Sequence, residues 1–228
     1  MSASLRATIC SCVIALSAFV YVNISWADDA FAQKYEGYQR TTSEGKAALG
    51  RKDYQAAIDN YTKIIEMSPF EAMPYFNRGL AQYKSGMMKE AEEDFDKTLI
   101  LHQRMVTALS YRGLCREKLG KEKAALEDYT RAVQMQPDDV GNLNNIAWLY
   151  ATAKDEGVRD KLKALEHASK AAALSKEKNA GVLDTLGRAY FINGKVMEAI
   201  ETEKKAILLE PENKEFKENL ALYEREYK

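Results

Sequence analysis

Small residues fall in strict step along this chain. Gly45, Gly79, Gly113 and Ala147 stand 34 residues apart, and Gly187 follows 40 further on. A second small column runs through Ala57, Ala91, Ala125, Ala164 and Ala199. A third is aromatic at Tyr61, Phe95 and Tyr129, then lapses to Ala168 and Glu203. A fourth holds Pro69, Pro137 and Pro211, with Gln103 and Lys176 in the other two places. A fixed period in the range of roughly 20–50 residues predicts a solenoid, and this one fits a helix–turn–helix unit. Each column has a physical task. The small residues let two antiparallel helices cross closely, and the aromatic fills the wedge between successive pairs. Proline ends the second helix because it cannot continue the hydrogen-bond ladder. Beyond Pro211, Phe216, Leu220, Tyr223 and Tyr227 recur at helical spacing with Lys and Glu between them. That pattern predicts one amphipathic helix with a polar outer face, as a terminal cap requires.

Residues 72–95 read AMPYFNRGLAQYKSGMMKEAEEDF, and residues 180–199 read AGVLDTLGRAYFINGKVMEA. Both resemble the tetratricopeptide repeat, with its bulky residue, L-G, Tyr, A-x3-F and Pro. Tyr75 with Gly79, and Leu186-Gly187-Arg188-Ala189-Tyr190, carry the match. The resemblance implies an all-α fold: an α-solenoid of five helix–turn–helix repeats, at 38–71, 72–105, 106–139, 140–179 and 180–213. A capping helix over 214–228 closes it. The first unit departs from the pattern at Thr41 and Ala48. The fourth carries five extra residues between its helices, in a stretch resembling a variant of bacterial members of the family. There Gly157 is suited to a left-handed turn and Asp160 to capping the helix from Lys161. Arg159 is read as pairing with Asp155 or a helix end, or as touching a ligand.

Residues 1–27 stand outside the repeat. Arg6 precedes an uncharged run from Ala7 to Val22, and Ser25-Trp26-Ala27 leads into Asp28-Asp29. This is the layout of a secretory signal peptide cleaved after Ala27. An uncleaved anchor is the rival reading, since Asn23, Ile24 and Ser25 prolong the run. The first places the chain in the bacterial periplasm; the second tethers it to the inner membrane. Residues 28–37 are a lead-in segment. Cleavage leaves Cys115 as the one cysteine, a small core residue by its place in the array.

Loss of Arg6 leaves 32 Lys and Arg against 34 Asp and Glu. That balance, with no basic face, argues against a nucleic-acid partner. The runs Lys89 to Asp96 and Arg116 to Lys123 read as solvated outer faces. His102 and His167 have no Cys or His at metal-ligand spacing. Gly45 and Gly141 are isolated rather than part of a phosphate loop, and no triad or other catalytic constellation is legible. No cofactor, metal or enzymatic activity is expected.

In the tetratricopeptide family the first helix of each unit lines a concave face that binds a peptide or protein. Carried onto this chain, the groove positions are Phe76, Asn77, Leu80 and Tyr83, then Ser110, Tyr111 and Leu114. Asn144, Asn145 and Trp148 follow in the fourth unit, and Asp184 and Arg188 in the fifth. Asparagine amides can pair with a peptide backbone, and aromatic rings can anchor it; packing between neighbouring first helices is the competing use. Some family members clamp the C-terminal carboxylate of a chaperone. Of the five clamp positions, Thr42, Lys46, Asn77, Thr107 and Tyr111, Asn77 alone has the clamp residue. The expected function is therefore a non-enzymatic scaffold for an unidentified protein or peptide. The membrane enters as a partner if the N-terminal segment stays attached.

Overall fold

The computed structural model describes residues 32–227, and among these every regular element is a helix. The signal-peptide and anchor readings of residues 1–27 lie outside the described residues. Among the described residues no helix is long and apolar enough to cross a membrane. The chain divides into two units, residues 1–69 and 70–228.

In the first unit, helix α1 covers 32–50, so residues 32–37 of the lead-in are helical and continuous with the first repeat helix. Lys52 turns the chain at φ +63°, and α2 (Tyr54–Met67) follows, capped by Asp53 on the Ala56 N–H. A Cβ on Gly45 would sit 3.1 Å from the Tyr61 ring. The small column thus gives the aromatic column its room.

The second unit continues as α3 (Ala72–Ser85), α4 (Met88–Leu101), α5 (Val106–Lys118), α6 (Glu122–Met135), α7 (Val140–Thr152), α8 (Lys161–Leu174), α9 (Ala180–Ile192), α10 (Val196–Leu209) and α11 (Lys214–Glu226). Each helix packs on the next, and α3, α5, α7 and α9 also touch one another in turn. Those four form one face, and it is the face that positions the candidate site. Gly86, Gly120 and Gly194 make the turns within three pairs with φ of +89°, +73° and +75°, a region where a Cβ is costly.

Packing at the crossings is matched by volume. A Cβ on Gly79 would lie 3.1 Å from Phe95, and one on Gly113 would lie 2.5 Å from Tyr129. Where the small residue grows to Ala147, the facing column shrinks to Ala168, and both are fully buried in one cluster. Interiors are close-packed, so a methyl added on one side must be removed on the other.

The longer fourth turn is pinned rather than loose. Val158 is buried in the α7–α8 cluster. The Glu122 carboxylate accepts from the Lys154 and Asp155 N–H groups at 2.9 and 2.8 Å. Asp155 pairs with Lys123 at 3.0 Å, leaving Arg159 to pair with Glu156 at 3.1 Å. The expected Arg159–Asp155 pair is therefore absent, because Lys123 holds that carboxylate. Gly157 does not take a left-handed φ; its N–H is held by Asp155 instead. Asp160 caps α8 through the Leu162 and Lys163 N–H groups.

The two charge runs are not wholly solvated. Glu92 and Asp94 are buried and belong to a network linking successive helices. Arg78 pairs with Asp94 at 2.7 Å, Arg112 with Asp96 at 2.6 Å and Asp128 at 2.5 Å. Arg116 and Lys121 both reach Glu92, at 3.1 and 2.6 Å. Buried carboxylates are tolerated when paired this closely, and removing one partner would strand a charge.

Candidate functional site

The Asp139 carboxylate starts the site by capping α7 through the Asn142 N–H at 2.7 Å. That cap sets Gly141, Asn142 and Asn145 against the N-terminal half of α5. Between them lies a cleft of about 240 Å³, lined by Thr107, Ser110, Tyr111, Leu114, Asn142 and Asn145 among others. The Ser110 hydroxyl lies between the Val106 carbonyl and Asn142 Oδ1, which ties one wall to the other. Thr107 is exposed at the rim, while Asn145 and Tyr111 are half-buried. The arrangement presents amide and hydroxyl groups around an apolar floor, suited to one side chain and its adjoining backbone.

Of the positions expected to line a groove, the cleft gathers Ser110, Tyr111, Leu114 and Asn145. Phe76 and Tyr83 are half-buried and committed to ring contacts. Phe76 lies 5.8 Å from Phe95 and 6.1 Å from Tyr111, and Tyr83 lies 5.4 Å from Tyr111. Asn77 and Leu80 are half-buried on α3. Asn144 is half-buried, and among the described residues its Oδ1 is buried without a hydrogen-bond partner.

Trp148 is a bridge. Arg188 lies over its ring at 5.3 Å, and Trp148 helps lower the pKa of the Glu117 carboxyl of α5. Tyr129 donates to the same carboxylate at 3.1 Å. Burial pushes the Glu117 carboxyl above its ordinary range, and these two donors pull it partly back. Trp148 is therefore used between α5 and α9, and much of its ring is already covered.

Asp184 departs from the expectation. It is buried, accepting from Asn219 of α11 at 2.7 Å, so the helix that follows already covers it. Arg188 likewise donates to Asn219, at 3.0 Å. Sequence reasoning met Thr107 only as a clamp position and missed Gly141 and Asn142; these three complete the cleft. Thr107 and Gly141 share the second place of their units, so the period itself could have found them; Asn142 is visible only through its contact with Ser110. Cys115 is fully buried, and burial pushes its thiol up to about 12, which makes it an unreactive packing residue.

A tetratricopeptide repeat family model matches residues 42–104 and 89–140. The heat-shock protein cognate co-chaperone sgt12 of Aspergillus fumigatus is 33% identical over 94 residues, 41% of this chain and 28% of that protein. The chain thus spans well under a third of that relative's length. The solved structure of MamA from Desulfovibrio magneticus RS-1 superposes with a TM-score of 0.67 at 20% identity, covering 78% of this chain and 97% of that one. YrrB, described as a tetratricopeptide protein with an unusual peptide-binding site, gives 0.62 at 22% identity over 80% and 88%. Periodic columns, paired helices and these likenesses agree, and the chain is a tetratricopeptide-repeat protein.

Proposed function

We propose that this chain is a non-enzymatic scaffold that holds a peptide, or an extended segment of a partner protein, across the face formed by α3, α5, α7 and α9. The cleft between α5 and α7 carries this reading. At about 240 Å³ it is below the usual size of a cofactor or drug-like pocket, but ample for one anchoring side chain. Asn145, Thr107 and Ser110 at its walls can pair with a peptide backbone beside that anchor. The peptide-binding description of YrrB supports the same use of the fold. The co-chaperone role named for sgt12 is not carried over, because four of the five chaperone-clamp positions hold Thr42, Lys46, Thr107 and Tyr111 instead. Selection of a displayed peptide library against the full chain tests the proposal. Enriched peptides should lose binding to Thr107→Trp, which fills the cleft from its exposed rim.

The scaffold works in the bacterial cell envelope on this reading, because residues 1–27 have the layout of an export signal. Cleavage after Ala27 would free it in the periplasm. Retention would make it an inner-membrane-anchored subunit of an envelope assembly or secretion complex, which the long uncharged run from Ala7 to Val22 favours. N-terminal sequencing of the protein from fractionated cells separates the two. Asp28 as first residue in the soluble envelope fraction means release, and Met1 in the membrane fraction means a tether. Recovery from the cytosol would sink the envelope reading.

A further inference from the structure

Glu203 occupies the place that Tyr61, Phe95 and Tyr129 hold in the other units. It is fully buried, pressed so closely on Gly187 that a Cβ there would lie 2.8 Å from Glu203 Oε2. The groups that face it come from two helices. Helix α9 supplies Asp184 and Arg188; α11 supplies Glu215 and Tyr223. Asn219 joins the helices by donating to Asp184 at 2.7 Å and accepting from Arg188 at 3.0 Å. Among the described residues neither Glu203 oxygen has a donor to accept from, and Arg188 Nε and Tyr223 Oη are also unpartnered.

An ionised Glu203 would therefore be a buried charge beside a second carboxylate, with no hydrogen bond of its own. Such a group takes up a proton rather than bear the desolvation. A proton on Glu203 would let it donate to the neighbouring Asp184 carboxylate. Burial, then the Asp184 charge, push the Glu203 carboxyl up to about 8, with Glu215 adding and Arg188 opposing. Burial also raises Asp184.

We propose that the Asp184–Glu203 pair is a proton-dependent latch for the C-terminal helix: α11 stays seated while the pair holds a proton, and loosens when that proton is lost to water. The apolar contacts of α11, Phe216 on Ala180, Leu183 and Ala206 and Tyr223 on Ala199 and Ile200, do not titrate in this range and give the latch its baseline strength. The exposed Lys204–Glu224 pair between α10 and α11 adds a salt-sensitive contact that does not involve Glu203. Release uncovers the apolar edge of the last helix pair.

In the lifted form Glu203 meets water and ionises at its ordinary value, 4.5. Between that value and about 8 the seated form holds one more proton than the lifted form. Lifting should therefore grow about tenfold per pH unit across this window and level off above it.

Hydrogen–deuterium exchange on the full chain from pH 5 to 9, corrected for intrinsic rates, reads this directly. Protection of α11 amides should fall about tenfold per pH unit up to roughly pH 8, while α5 and α6 hold theirs. Glu203→Gln keeps a neutral donor to Asp184 and should flatten the profile. Glu203→Phe, which restores the aromatic of the column, should flatten it as well and covers the case in which the glutamine variant folds poorly. Flat protection of α11 in the parent protein would overturn the latch. So would an unchanged slope in the variants, or a parallel loss in α5 and α6.

Discussion

Gly113 is the tightest of the small positions, because a Cβ there would meet a Tyr129 ring carbon at 2.5 Å. Tyr129 is fully buried and its hydroxyl is tied to Glu117, so the ring cannot swing aside. Gly113→Ala should lower stability by about 1–3 kcal/mol in urea unfolding. Lys89→Ala, on an exposed position of α4, should cost under about 0.5 kcal/mol; equal losses would contradict the register. This level was largely legible in the sequence. The columns stand in the sequence, but the aromatic was expected in the wedge between successive pairs. That its ring also presses on the glycine of its own pair, Tyr129 on Gly113, is seen only in the structure. The burial of Glu92 was not legible. Its partners Arg116 and Lys121 lie 24 and 29 residues on, and a solvated helix face and a bridge between units share the same local pattern.

At the scale of elements, α11 is the last helix among the described residues, and it carries charged side chains on its outer face. Its inner face covers Leu183, Ala206 and Ile200 through Phe216 and Tyr223, a burial of roughly 2 kcal/mol for each large apolar side chain. Deleting residues 214–228 should therefore lower Tm by several degrees or drive self-association, read by thermal melting and sedimentation velocity. Unchanged melting of a monomer would show that the helix is not a cap. The spacing of Phe216, Leu220 and Tyr223 announced this helix, and Asp160 announced the start of α8. What no spacing announced is how the inserted turn is held. Glu122 belongs to the preceding unit and reaches two backbone N–H groups 32 and 33 residues away. Asp184 was misplaced because its burial depends on Asn219, 35 residues on in the next helix.

For the molecule as a whole, the period gave away the kind of fold and the face on which a partner would rest. It did not separate residues left open on that face from residues already used between helices. Phe76 and Tyr83 are taken up by ring contacts and Trp148 by Arg188 and Glu117, which leaves the α5–α7 cleft as the open ground. Binding there is the central claim. Its most direct test is calorimetric titration of a selected peptide into the parent protein, Asn145→Ala and Thr107→Trp, with helical circular dichroism as the control. If the cleft is the site, Asn145→Ala should weaken binding about tenfold, in line with a hydrogen bond of roughly 1.4 kcal/mol. Thr107→Trp should weaken it by about 30-fold or more, the loss expected of a buried anchor worth about 2 kcal/mol. Full affinity in both variants, with the helices intact, would place the partner elsewhere on the molecule and contradict the proposal.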